Sequence, residues 1–333
     1  MKLLTLKLLM IVSVGLLLAA CTKPAEETKN KKIDNVSIAV SMTPLSTPFF
    51  VAKENGYFSE MGLNVLLVNT IGGHRCLVSV LDGKTDMGTS SDYPIMMKSF
   101  TRDDFVVLTT FVSSENDVKL ITDTSQGILT PKDIKGKRIG TVTGASSHFF
   151  LDRFLLFNEM TLNDVEVMHV NPENMVDAIL NAEVDAIAAW EPYGYQVKNK
   201  LGKKTKIFNS SNYYRETFNL VSKSAFANQN PEVVVKVIRA LDKAIQYIEN
   251  HPQKSQNIVV SYLNVDSGFI EWVWKDFDFA LTLDQSFILT LEKESRWAVT
   301  NNIVKHNKFP NYLGYINFDA MSSVKPDAIT IIY

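Results

Sequence analysis

The sequence predicts an α/β fold of two similar lobes, each built on a largely parallel sheet, and three observations carry that prediction. The chain has 333 residues, 46% hydrophobic and 21% charged, which is more than a single hydrophobic core normally holds. Short β-branched segments alternate with segments of helical period, the pattern of right-handed crossovers onto parallel strands. The pattern also occurs twice. Ser46-Thr47-Pro48-Phe49-Phe50 returns about a hundred residues on as Ser146-Ser147-His148-Phe149-Phe150. In the same way Glu60-Met61-Gly62-Leu63-Asn64 returns as Glu159-Met160-Thr161-Leu162-Asn163, and Leu81-Asp82-Gly83-Lys84-Thr85-Asp86 as Leu180-Asn181-Ala182-Glu183-Val184-Asp185.

The first element is an address. Residues 1–20 carry Lys2 and Lys7, then an uncharged apolar run that ends Leu18-Ala19-Ala20-Cys21, the layout of a secretory leader. The run is short of the roughly 20 apolar residues that cross a bilayer. The stretch resembles a bacterial lipoprotein leader, which implies lipidation of Cys21 and an exported protein, membrane-anchored on the periplasmic side or at the cell surface. Residues 22–32, rich in Lys, Glu, Thr and Asn, read as a flexible tether. Cleavage before Cys21 leaves Cys76 as the one remaining thiol, so no intrachain disulfide is expected. Cys76 lies in an apolar helical stretch and reads as a small buried hydrophobe.

The first copy of the repeat reads as a strand at 36–40, a helix at 49–61, a strand at 64–68, a helix at 73–82 and a strand at 85–89. The second reads the same way at 138–142, 149–160, 165–170, 172–181 and 184–189. In parallel sheets the turns at the carboxyl ends of the strands line the ligand crevice, so two such lobes offer two matching sets of turns. Helices at 231–250, 252–263, 267–276 and 284–300 make a tail with too few strands for a third sheet domain, expected to pack back on one lobe. Linkers near 113–117 and 216–220 would join lobe I (33–114 and 219–333) to lobe II (115–218).

Three motifs then converge. Thr43-Pro44-Leu45-Ser46-Thr47-Pro48-Phe49-Phe50-Val51-Ala52-Lys53-Glu54-Asn55-Gly56-Tyr57-Phe58, Asp133-Ile134-Lys135-Gly136-Lys137-Arg138-Ile139-Gly140 and Ala189-Trp190-Glu191-Pro192-Tyr193 together resemble the substrate-binding lipoproteins of ABC importers of the nitrate/sulfonate/taurine (SsuA/THI5-like) type. That group also includes thiamine-pyrimidine binders. The resemblance extends over most of residues 36–332, including Val324-Lys325-Pro326-Asp327-Ala328. It implies a periplasmic-binding-protein-like fold of type II, two lobes joined by two crossovers that close on one small molecule and deliver it to a membrane permease.

The candidate ligand-binding residues sit in the turns of the repeat. Gly144, Ser146, Ser147 and His148 follow a strand and open a helix, where backbone N–H groups and hydroxyls suit an anion; an ordinary serine cap fits the same residues. Ser46, Thr47, Pro48 and Phe49 form the matching turn of the first copy, and Pro48 is equally what a plain helix start requires. Ser90, Ser91, Asp92 and Tyr93 end the third strand of one copy, and Trp190 and Glu191 that of the other. The acids are placed to accept from a ligand amine or ring N–H and the rings to cover its apolar part. Helix capping and core packing are the alternative roles. Tyr214 is a candidate cleft wall.

Other chemistries find little support. A net charge of −2 supplies no basic field for nucleic acid. Histidines 74, 148, 169, 251 and 306 show no metal-ligand spacing, and no cofactor is expected. Gly144-Ala145-Ser146-Ser147-His148 is not the Gly-x-Ser-x-Gly of serine hydrolases, so an enzyme is not expected. The expectation is a monomeric, lipid-anchored solute-binding protein for a small sulfonate-like or zwitterionic ligand, of the taurine, aliphatic sulfonate or nitrate class. A binder of thiamine-precursor pyrimidines or other heteroaromatics is the alternative, and an enzyme on the same fold a more distant one.

Overall fold

The computed structural model describes residues 33–208, 213–305 and 308–332. The leader at 1–20, the lipidation site Cys21, the tether at 22–32 and His306 lie outside the described residues. Eleven strands form two sheets among them. β1 (Asp34–Ser41), β2 (Leu63–Thr70), β3 (Met87–Ser91), β4 (Phe105–Ser114), β10 (Glu216–Lys223) and β11 (Phe277–Asp278) make the first, in the order β11-β4-β10-β3-β1-β2. The second holds β5 (Val118–Asp123), β6 (Arg138–Thr141), β7 (Glu166–His169), β8 (Ala186–Trp190) and β9 (Thr205–Phe208), in the order β7-β6-β8-β5-β9.

The repeat is a repeat of topology. β1 runs parallel between β2 and β3, and β6 runs parallel between β7 and β8. Each triplet is bordered on its β3 or β8 side by an antiparallel strand, β10 in one sheet and β5 in the other. Even the fastenings correspond. Asp86 Oδ2 accepts the Ser37 backbone N–H at 2.8 Å, and Asp185 Oδ2 accepts that of Arg138 at 2.9 Å. Both carboxylates tie the loop before the third strand to the first strand of their copy.

Two expectations are corrected. The sheets are mixed, because β4, β10 and β11 in one and β5 and β9 in the other pair antiparallel. Residues 216–220 are part of β10, a buried strand paired on both sides, and not a linker. Only Thr217 and Phe218 in Glu216-Thr217-Phe218-Asn219-Leu220 are strand-favouring types, so pairing and burial and not local propensity make this segment a strand. The chain leaves the first sheet after Ser114, enters the second at Val118, and is back in the first at Glu216.

The helices cover these sheets. Thr47–Glu54 buries Phe49 edge-on to Phe111 at 4.9 Å, and burying one such ring is worth roughly 1.5–3 kcal/mol. In the tail, Pro231–Asn250 and Pro252–Leu263 pack on Thr47–Glu54, and Gln285–Thr300 packs on Asp92–Ser99, all elements of the first sheet's side. Cys76 is a buried free thiol in Gly73–Leu81, and burial pushes its pKa up to about 11, which suits an inert core position. Among the described residues no helix is long and apolar enough to cross a membrane.

Candidate functional site

Both sheets present the carboxyl ends of their parallel strands to one cavity of about 370 Å³. Five turns converge there. From the first sheet come Ser41 at the end of β1 with Thr43, Pro44 and Leu45 beyond it, then Gly72, Gly73 and His74 after β2, and Ser91 closing β3. From the second come Gly144, Ala145 and Ser146 after β6, and Trp190 and Glu191 closing β8. Asp117 just before β5 and Glu216 and Phe218 at the start of β10 line the same space, with Phe269 from the helix Ser267–Trp274. Two helices point their N-termini into it, Gly73–Leu81 and Ser146–Phe157. Gly73 is required there, since a Cβ would meet the Ser91 backbone nitrogen at 3.0 Å.

Of the residues singled out in the sequence, Ser91, Tyr93, Gly144, Ser146, Trp190 and Glu191 line this cavity. The others are turned into the walls. A 3₁₀ turn, Pro44–Ser46, intervenes between β1 and the helix Thr47–Glu54. It places Thr43, Pro44 and Leu45 at the cavity and buries Ser46, Thr47, Pro48 and Phe49. Thr47 Oγ1 donates to the Pro44 carbonyl. Strand alternation turns Ser90 away from the side that Ser91 faces, and Asn219 Nδ2 donates to its carbonyl. Ser147 Oγ bonds Thr141 Oγ1 at 2.8 Å. His148 Nδ1 accepts the Gly144 N–H at 3.2 Å while its ring meets Trp297 edge-on, and burial lowers its pKa, so the ring is neutral and braces the turn.

Asp92 and Tyr214 lie together behind the wall. Asp92 accepts from the Tyr93 and Thr217 backbone N–H groups at 2.8 and 2.9 Å and from Tyr214 Oη at 2.5 Å. Burial pushes its pKa to about 6 while these donors pull the other way. Tyr214 Oη is also 3.3 Å from Glu294 Oε1. The phenolic proton is shared between the two carboxyl groups, and burial raises the Glu294 pKa well above the usual range.

Glu191 is a junction. Its Oε1 accepts from Lys119 Nζ at 2.6 Å and from Trp272 Nε1 at 2.9 Å, and its Oε2 from the Tyr195 N–H at 3.0 Å. Lys119 is fully buried, with Asp276 as a second, looser partner at 3.9 Å. The Glu191–Pro192 peptide is cis. Gly194 allows the pair to form, because a Cβ there would lie 2.8 Å from Glu191 Oε1.

Among the cavity residues that sequence reasoning missed are the two acids beside this junction, Asp117 and Glu216, the hydroxyls of Ser41 and Thr43, and the rings of Phe218, Phe269 and Phe277. Burial, reinforced by Glu191 and opposed by Lys119, raises the Asp117 pKa to about 7. Burial, then Asp117 and Asp92, hold Glu216 well above the usual carboxylate range. Glu216 Oε2, Tyr93 Oη, Ser41 Oγ and Thr43 Oγ1 have no hydrogen-bond partner in the protein, although buried polar atoms are normally paired. Four orphaned polar atoms on residues that line one apolar cavity are what a site waiting for a ligand presents. Among the described residues no group of three His, Cys, Asp or Glu side chains is arranged to hold a metal ion.

Known proteins place this geometry in context. The family described as NMT1/THI5 like matches residues 43–255. A Bacillus subtilis protein named as an aliphatic sulfonates-binding protein is 25% identical over 274 residues, 81% of this chain and 82% of its own. The periplasmic aliphatic sulphonate binding protein SsuA from Escherichia coli superposes with a TM-score of 0.75 at 16% identity, over 86% of this chain and 98% of that one. The alkanesulfonate-binding protein SsuA from Xanthomonas axonopodis pv. citri, bound to MOPS, gives 0.72 at 17% identity over 86% and 99%. These relatives are named as binding proteins and not as enzymes, and the solved ones share the fold, that of the periplasmic binding proteins. The chain belongs to the NMT1/THI5-like family.

Proposed function

We propose that the chain is the solute-binding component of an ABC importer, tethered by a lipid on Cys21, which closes on a small zwitterionic or sulfonate-like molecule and hands it to a permease. The observation that carries the reading is the cavity itself, walled by matching turns of both sheets. A molecule that touches both walls stabilises the arrangement in which they face each other, and that arrangement is the signal a permease can recognise. The N-termini of Gly73–Leu81 and Ser146–Phe157 suit an anionic group. Trp190, Phe218, Phe269 and Phe277 suit an apolar body. Nitrate is the poorest member of the class for this site, since it would leave most of the cavity unfilled. The same rings support a second reading, a heteroaromatic solute.

A thermal-shift screen over taurine, longer alkanesulfonates, nitrate and aminopyrimidines tests both readings. A ligand at a hundredfold excess over its Kd adds about 2.7 kcal/mol to the native state, so at least one sulfonate or zwitterion is expected to raise the midpoint by several degrees. Trp190→Ala is expected to remove most of that shift. Silence from every compound contradicts the proposal, and a response to aminopyrimidines alone selects the second reading.

A further inference from the structure

The cavity holds more carboxyl groups than an anion receptor needs. Asp117, Glu191 and Glu216 all line it, and the groups that face them make the balance more acidic. Behind Glu216 lie Asp92, Glu294 and the Tyr214 hydroxyl, all close enough to influence its ionisation or to be influenced by it. Beside Asp117 lie Glu191, Asp276 and one cation, Lys119. Lys119 is already committed to Glu191 at 2.6 Å. Among the described residues His74 is the one titratable base on the cavity wall, and partial burial, with Lys98 and Arg75, lowers its pKa.

The three acids are not equivalent. Both oxygens of Glu191 are taken by protein donors. Glu216 is 6% exposed and has its Oε2 left without a partner. It opens β10, where it pairs with Ser114 of β4, two residues before the strand also joins β3 at Phe218. A buried carboxyl with an unused oxygen, in an apolar cavity and among other acids, stays neutral until a positive charge arrives.

Resting on the reading of the cavity as a solute site, we propose that Glu216, with Asp117 beside it, binds a protonated amino group of the solute and releases its own proton to solvent as it does so. The anionic end of the same molecule then lies toward the helix N-termini. The site in this arrangement selects an aminated compound over its unsubstituted counterpart. Selection comes from a charge-assisted hydrogen bond formed in a dry cavity, where such bonds are strongest. Because an ionised Glu216 is required, affinity for the amine rises as pH rises, by up to tenfold per pH unit while the ligand-free carboxyl is protonated.

The test is titration calorimetry with matched pairs: amino and unsubstituted alkanesulfonates of two to four carbons, and benzylamine against benzyl alcohol, each at pH 6, 7 and 8 in two buffers of different ionisation enthalpy. The expected result is tighter binding of the amino member of each binding pair, with proton release that makes the apparent enthalpy depend on the buffer. Glu216→Gln, of the same shape, is expected to weaken the amino compounds at least about tenfold, to abolish the proton release, and to weaken the unsubstituted sulfonates far less, so that the preference for the amino member of each pair is lost. The proton release is measured on the unsubstituted protein and so does not depend on the variant folding. If the unsubstituted compounds bind as tightly as their amines, or amines bind without proton release, the inference is overturned while the receptor reading stands. If no member of any pair binds, the solute site itself is refuted and the inference goes with it.

Discussion

Asp117 keeps a proton to a pH at which an aspartate in water has long lost it, because its surroundings are dry and three neighbouring charges are dominated by acids. Its pKa near 7 lies above the unfolded value of about 3.9, so between those limits the folded state binds the extra proton and stability falls as pH rises. Asp117→Asn removes that slope. The variant is expected to be more stable than the parent at pH 8 and little different at pH 4.5, by denaturant unfolding at both values; a parent whose stability does not fall across this window contradicts the assignment. Neither this acid nor Glu216 stood out in the sequence. Both sit where linkers were expected, and a residue beside a crossing between two sheets necessarily lies near the space between them. Ser90 and Ser91 show the limit of local reading. The turn was legible, but which of two adjacent serines faces the ligand depends on the pleat of β3.

Among the elements, the loop between the second helix and third strand of each copy shows what the duplication preserved and what it did not. In the first copy that loop turns on Gly83 with φ 70°, and in the second the equivalent residue is Ala182 with φ 55°. An alanine in the left-handed region costs roughly 1 kcal/mol that glycine does not. Ala182→Gly is therefore expected to stabilise the protein, or at least to cost nothing, although a glycine in a loop ordinarily weakens a fold. A fall of the unfolding midpoint by several degrees would show that the turn is not strained. The tail helices were legible because their apolar period and opening prolines are local signals, and Pro231–Asn250 and Pro252–Leu263 begin and end where the periodicity placed them, whereas the helix expected at 49–61 is broken at Gly56, φ 73°, into Thr47–Glu54 and Tyr57–Glu60. The 3₁₀ turn Pro44–Ser46 was not. Pro44 and Pro48 are equally good starts, and only packing of Leu45 and Phe49 decides that the helix waits for the second.

For the whole molecule, Trp272 ties the tail to the second sheet. Its indole N–H donates to Glu191, and Lys198 lies 3.9 Å from its ring centroid, with Lys119 and Lys275 farther out. Nearby, Tyr195 Oη donates to Asp266 at 2.5 Å. A hydrogen bond to a charged group contributes about 1.5–3 kcal/mol. Trp272→Phe keeps the bulk and loses that bond. Without ligand the variant is expected to show a larger radius of gyration by small-angle scattering, and to return to the parental value when a binding solute is added. Equal radii in the absence of ligand would mean that this contact does not hold the two sheets together. The two-lobed plan itself was legible, since a repeat of a hundred residues is visible without any contact being known. The mixed character of the sheets was hidden, because β10 and β5 look like any other strands until their direction is traced.

Glu191 serves the cavity and this tie with the same carboxylate. Any change there that reshapes the cavity wall also alters the contact that joins the tail to the second sheet, so neither can be tuned through that position without the other.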